Sequence, residues 1–200
     1  MSGPNIAWEV AKGLPAATVA AGADAALVRT VREAFSGSTF RVYGNKDAIG
    51  VELGGALKNV MAVATGIIEG LGLGFNSRAA LITRGLAEMT RLGVALGARP
   101  ATFAGLAGLG DLVLTCTGAL SRNRAVGVEI GQGRSLAEIL TGRDTVAEGV
   151  LNTQSAYALA ERMRVEMPIV NAMHRILFEG TPVRQAAGEL MTRALRAELD

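Results

Sequence analysis

From residue 46 onward the sequence carries helical periodicity almost without a break, and this constrains the fold more than any other feature. Segments at about 46–70, 76–97, 121–132, 147–164, 168–178 and 182–197 read as helices. They are separated by Gly-Leu-Gly-Leu-Gly, Gly-Ala-Arg-Pro and Glu-Gly-Thr-Pro, all of them helix stops or turns. Long helices with short connections predict an all-α bundle of about 150 residues, with no internal repeat.

The first 45 residues read differently. Pro15 to Ala21 and Thr39 to Tyr43 read as short strands around a helix from Ala23 to Phe35, in which Leu27, Val31 and Phe35 recur at four-residue intervals. Two strands alone are marginal in water, and a doubly wound domain needs several more parallel ones. Ser2-Gly3-Pro4-Asn5 reads as a turn opening a helix, with Pro4 near the first helical position. The expectation is a chain that begins midway through a larger unit.

Half of the residues are apolar, ample material for a core. The net charge is +2, with acids and bases interspersed and no block of like charge, so no nucleic-acid surface is expected. Cys116 is the only cysteine, which excludes an internal disulfide and fits a reducing, cytoplasmic setting. With His174 as the only histidine, no metal site is expected, and His174 itself reads as a helix-surface or interface residue. The longest apolar run, Val60 to Ile68, stops at Glu69 and is too short to cross a bilayer, so no membrane insertion is expected. No basic-then-apolar leader is visible.

Within the first long helix, Lys58 stands in an otherwise small and apolar stretch, Val51 to Val60. Only Lys12, Lys46 and Lys58 are lysines among the twenty basic residues, so arginine is the usual surface cation here. On a helix the neighbours of Lys58 are Gly54, Gly55, Met61 and Ala62, a set that predicts open space around the ammonium and no acidic partner. Glycine inside a helix costs about 1 kcal/mol relative to alanine, so stability alone would not choose the pair. Two readings follow: a lysine stem lying on apolar surface with its head in water, or a cation reserved for a ligand.

A second cluster runs from Gly105 to Leu112, through Thr115-Cys116-Thr117, to Ser121-Arg122-Asn123-Arg124. Its glycines neither follow a strand nor open a β-α-β unit, which argues against a dinucleotide loop. Ser121 reads as the N-cap of the next helix, placing Arg122 and Asn123 in its first turn. A helix N-terminus with an added guanidinium suits a phosphate, although on the pattern alone an exposed capped helix with solvated arginines is the commoner case. Asp111 is either a turn residue after Gly110 or an orienting carboxylate. Together these residues supply a proton donor, a carboxylate and a phosphate clamp, the components for redox work on a phosphorylated ketone.

Ser2-Gly3-Pro4, Val51 to Val60, Ala79 to Leu86, Gly105 to Asp111, Ser121 to Arg124 and Val146 to Val150 resemble, in order and over essentially the whole chain, the bacterial-type NAD(P)-dependent glycerol-3-phosphate dehydrogenases. The resemblance implies a mainly α fold, a helical substrate domain of the 6-phosphogluconate-dehydrogenase C-terminal type over 46–200, after a β-α-β remnant of a Rossmann domain over 1–45. It implies Lys58 as the acid/base for interconverting glycerol 3-phosphate and dihydroxyacetone phosphate in phospholipid synthesis. Gly3, Asn5, Asp111, Ser121, Arg122 and Asn123 match substrate-contacting positions, with Asn5 where the family often has serine or threonine. Ala7, Arg122, Val146 and Glu148 match positions contacting NAD or NADP. The family's glycine-rich fingerprint has no counterpart here, so most of the dinucleotide domain is expected to be missing. A homodimer is implied for the full-length family. The alternatives are a related hydroxyacid or ketopantoate-type dehydrogenase and a non-catalytic helical dimerisation module.

Overall fold

Two parallel strands with a helix between them occupy the first 45 residues, and helices make up the remainder. The computed structural model describes residues 1–141, 147–195 and 197. A short helix α1 (Ala7–Ala11) precedes β1 (Ala16–Ala21), α2 (Ala25–Phe35) and β2 (Phe40–Asn45). The strands run in register from Ala16 opposite Phe40 to Ala21 opposite Asn45. The other edge of β1 is partly covered, because Ser2 and Val19 exchange backbone hydrogen bonds of 3.0 and 2.9 Å.

One local expectation is overturned. Pro4 does not open a helix. α1 starts at Ala7 behind an uncapped Ile6, while Pro4 lies against Gly110. In the apolar stripe of α2, Leu27 is 60% and Phe35 56% exposed. Val28 and Arg32 pack against the sheet, where Gly44 of β2 has no side chain. Asp24 caps α2, accepting the N–H groups of Ala26 and Leu27.

The helical region comprises α3 (Ala48–Gly70), α4 (Gly74–Ala95), α5 (Pro100–Phe103), a π-helix (Leu106–Gly110), α6 (Asp111–Thr117) and α7 (Arg122–Gly131). It continues through α8 (Leu136–Thr141), α9 (Glu148–Met163), α10 (Pro168–Phe178) and α11 (Val183–Met191). The long helices match the periodic segments to within two residues at most ends. α11 stops six residues early, beside Met191 and Leu195, which are 86% and 101% exposed and so add no packing to extend it.

α3 is the axis of the bundle. Asp47 caps it, accepting the Gly50 N–H at 2.9 Å, and its other oxygen takes the Arg99 N–H and the Thr102 hydroxyl at 2.8 and 2.6 Å. Burial alone would raise that carboxyl, but the bonds from Thr102, Arg99 and Gly50 override it and hold the group below its ordinary value. Every residue from Asn59 to Ile67 is buried, inside a core shared with α4, α6, α7, α9 and α10. By length and hydropathy α3 could cross a membrane, although Val60 to Ile68 alone could not, and 67% of its most apolar window is buried by neighbouring helices. The stretch 100–117 passes the same test but is divided among α5, the π-helix and α6.

The glycine-rich stretch is helical from Leu106 to Gly110 and not a turn. A side chain at Gly108 would stand 2.1 Å from the Phe103 carbonyl oxygen, and one at Gly54 would stand 2.4 Å from that of Ala107. Its glycines therefore serve backbone contact, a use that hydropathy patterning does not reveal. Val19, Val51 and Ala107 form a small apolar cluster joining β1, α3 and the π-helix.

Candidate active site

Lys58 has an acidic partner. Its Nζ donates to Asp111 Oδ2 at 2.5 Å, with side-chain exposures of 20% for the lysine and 4% for the aspartate. The expectation of open space is overturned for a physical reason: the bare backbones of Gly54 and Gly55 admit Ala107 and the Ser2 hydroxyl, and the π-helix delivers Asp111 from 53 positions away. The ammonium keeps donors to spare after meeting one oxygen, and one fifth of its side chain reaches solvent.

Asp111 opens α6 and is held from several sides. The Thr115 hydroxyl donates to its carbonyl at 2.6 Å and lies 3.4 Å from Oδ1, and the Ser2 hydroxyl reaches Oδ2 at 3.4 Å. Both Ser2 and Thr115 lie in segments that the sequence singles out, but the pattern assigns neither a role; Thr115 lies one helical turn after Asp111.

Asn59 is a further residue that sequence reasoning missed. It is 6% exposed and donates to Glu148 Oε2 at 3.3 Å, while its own oxygen accepts the Asn123 amide at 3.0 Å. Asn123 in turn accepts the Gly149 N–H at 2.9 Å in the first turn of α9. An asparagine beside the singular lysine, in an apolar helix, was the signal that could have found it. Lys58, Asn59, Asn123 and Glu148 thus sit on one continuous seam of α3, α7 and α9.

Ser121 caps α7, its hydroxyl accepting the Arg124 N–H at 3.3 Å. Arg122 follows in the first turn, exposed and without an ion pair or side-chain hydrogen bond among the described residues. Arg124 differs: it pairs with Glu69 at 2.5 Å and donates to the Gly118 carbonyl at 3.2 Å. The solvated-arginine reading therefore fails for Arg124 and describes Arg122, which is exposed.

The amino-terminal candidates lie on the sheet side. Gly3 is buried at φ +152°, where a side chain would crowd Thr18. Asn5 donates to the Thr18 hydroxyl at 2.8 Å, and Ala7 is exposed at the start of α1. The contacts of Asn5 lead to β1 and not to Lys58. Val146 lies outside the described residues. Cys116 is fully buried, which pushes its thiol up to about 12 despite the Thr65 hydroxyl and leaves it without nucleophilic chemistry.

The helices that carry these residues match a known family. The model of the NAD-dependent glycerol-3-phosphate dehydrogenase C-terminus matches residues 47–188, from the α3 cap through most of α11. The chain belongs to that family. A glycerol-3-phosphate dehydrogenase [NAD(P)+] of Geobacter sp. strain M21 is 63% identical over 198 residues, covering 99% of this chain and 59% of the relative. One from Koribacter versatilis is 60% identical over 200 residues, with 59% of its length covered. The crystal structure of a glycerol-3-phosphate dehydrogenase from Coxiella burnetii superposes with a TM-score of 0.93 at 48% identity, covering 96% of this chain and 59% of that one. The chain therefore spans about three fifths of the length of the glycerol-3-phosphate dehydrogenases it matches.

Proposed function

We propose that this chain supplies the substrate-binding and proton-transfer half of a dehydrogenase interconverting sn-glycerol 3-phosphate and dihydroxyacetone phosphate. The observation that carries the reading is the Lys58–Asp111 pair on a helix locked against α7, whose N-terminus presents Arg122, unpaired among the described residues. Arg122 and the free N–H groups of that turn hold the phosphate. Lys58 turns from Asp111 toward the oxygen on carbon 2, giving a proton to it in reduction and taking one in oxidation. Asp111 keeps the ammonium oriented, and the Asn59–Asn123 bond keeps the lysine's helix in register with the phosphate turn.

NAD or NADP is the redox partner this family implies, and the residues present do not form its main site. Among the described residues the sheet has two strands, and the turn between β1 and α2 ends in Asp24, whose carboxylate already takes the N–H groups of Ala26 and Leu27. A pyrophosphate at that helix start would meet an acid where it needs donors. Ala7, Arg122, Val146 and Glu148 are proposed only as contacts at the edge of the cofactor.

Calorimetric titration of sn-glycerol 3-phosphate into the chain tests the reading. Saturable binding that Arg122→Ala weakens at least about tenfold supports it. Equal affinity for a 2-hydroxy acid without phosphate, or no binding of glycerol 3-phosphate, overturns it.

A further inference from the structure

We propose that Ser2 is a positioning residue for the Lys58–Asp111 pair: its hydroxyl holds Asp111 Oδ2 when Lys58 leaves that oxygen for a ligand. The inference rests on the functional reading above for the ligand, but its geometry stands independently.

Asp111 is 3% exposed, so water does not readily replace the ammonium when Lys58 turns away. A buried carboxylate stripped of its cation is strongly disfavoured, and this would bind the lysine to Asp111 and oppose its work elsewhere. The oxygen that Lys58 holds at 2.5 Å is the one that Ser2 Oγ reaches at 3.4 Å. The Thr115 hydroxyl is not an equivalent substitute: it lies nearer Oδ1, and its single proton is committed to the Asp111 carbonyl at 2.6 Å.

Ser2 is placed for this role by the fold. Its N–H and C=O are both bonded to Val19 of β1, which fixes its backbone. Its Oγ lies over Gly55, where an added side chain would approach it to 3.0 Å. The second glycine beside Lys58 thus clears the space for this hydroxyl. Because Ser2 belongs to the sheet while Lys58 and Asp111 belong to the helices, the hydrogen bond also ties the pair to the sheet's position.

The test uses the full 200-residue chain labelled with 15N. Lys12 and Lys46 are the only other lysines, so the Lys58 ammonium signal is readily assigned. In Ser2→Ala the ammonium is held more tightly: its proton exchange slows several-fold, and affinity for sn-glycerol 3-phosphate falls about tenfold, the worth of one hydrogen bond to a charged group. Ser2→Thr, which keeps the hydroxyl, restores both. Unchanged Lys58 exchange in Ser2→Ala overturns the proposal, as does unchanged affinity in a chain that binds, or a threonine variant that behaves like alanine. If exchange responds as expected but the unmodified chain binds no glycerol 3-phosphate, the placement of Ser2 stands and the ligand assignment falls.

Discussion

Gly66 of α3 and Gly127 of α7 meet backbone to backbone. A Cβ on Gly66 would lie 2.1 Å from the Arg124 carbonyl oxygen, and one on Gly127 would lie 2.0 Å from that of Val63. Gly70 and Gly131 repeat the contact one turn further on. Lys58 lies eight residues before Gly66, about 12 Å along the helix, and Arg122 lies five before Gly127. This crossing therefore sets the separation between Lys58 and Arg122, the proposed proton donor and phosphate anchor.

Gly127→Ala should destabilise the chain by roughly 3 kcal/mol, because the methyl must push α3 and α7 away from each other, and its gain in helix propensity is about 1 kcal/mol. Gly188→Ala, in α11 with nothing within 4 Å of the new methyl, should stabilise by about 0.5–1 kcal/mol. Urea midpoints at constant slope measure both, and a neutral Gly127→Ala would contradict the contact.

Lys58→Met and Asp111→Asn should differ although they break the same pair. Removing the lysine strands a carboxylate whose side chain is 4% exposed, costing about 3 kcal/mol; removing the acid leaves an ammonium that is 20% exposed and can turn to water, costing about 1 kcal/mol. Equal losses in equilibrium unfolding would show that burial does not distinguish the partners.

Arg122→Lys should weaken glycerol 3-phosphate binding about tenfold, since a point charge replaces a planar donor fork. Arg124→Lys should leave affinity nearly unchanged and cost less than about 1 kcal/mol of stability, because Glu69, its partner, is 38% exposed. Parallel titration calorimetry and unfolding separate the two roles; equal affinity losses would remove Arg122 from the site.

Glu88 should make stability fall as pH rises toward neutrality. It is 2% exposed, and burial pushes its carboxyl up from 4.5 to about 7, against the N–H groups of Ile169 and Val170 and the charges of Arg91 and Arg193. A carboxyl with a folded value above its unfolded one holds its proton more tightly in the folded chain. Its contribution is then full below about pH 4.5 and is lost by about pH 7, a change of about 3 kcal/mol. Glu88→Gln should flatten this region of the stability profile. A profile identical to the wild type would exclude Glu88 as its source.

Much of the local structure was legible in the sequence because its signals span a turn or two. The 3.6-residue period marked the long helices, and Ser121 was readable as a cap because the N–H it satisfies lies three residues away. Lys58 was conspicuous because a cation in a small, apolar helix is costly unless something uses it. The stripe on α2 marked its helix, but periodicity identifies an apolar face and not whether anything covers it: Leu27 and Phe35 stay exposed, and the sheet takes Val28 and Arg32.

The sequence alone determined the helical class, the β-α-β beginning, the family and the two clusters that carry charge. Only the tertiary structure decided that Lys58 is paired, that Asn59 and Ser2 join the site, and that the glycines clear paths for backbone and hydroxyl instead of leaving empty space. Those contacts join residues up to 109 positions apart. Hydropathy and turn chemistry act over a few residues, whereas these pairings exist only once α3, α6 and α7 have packed closely enough to exclude water between them.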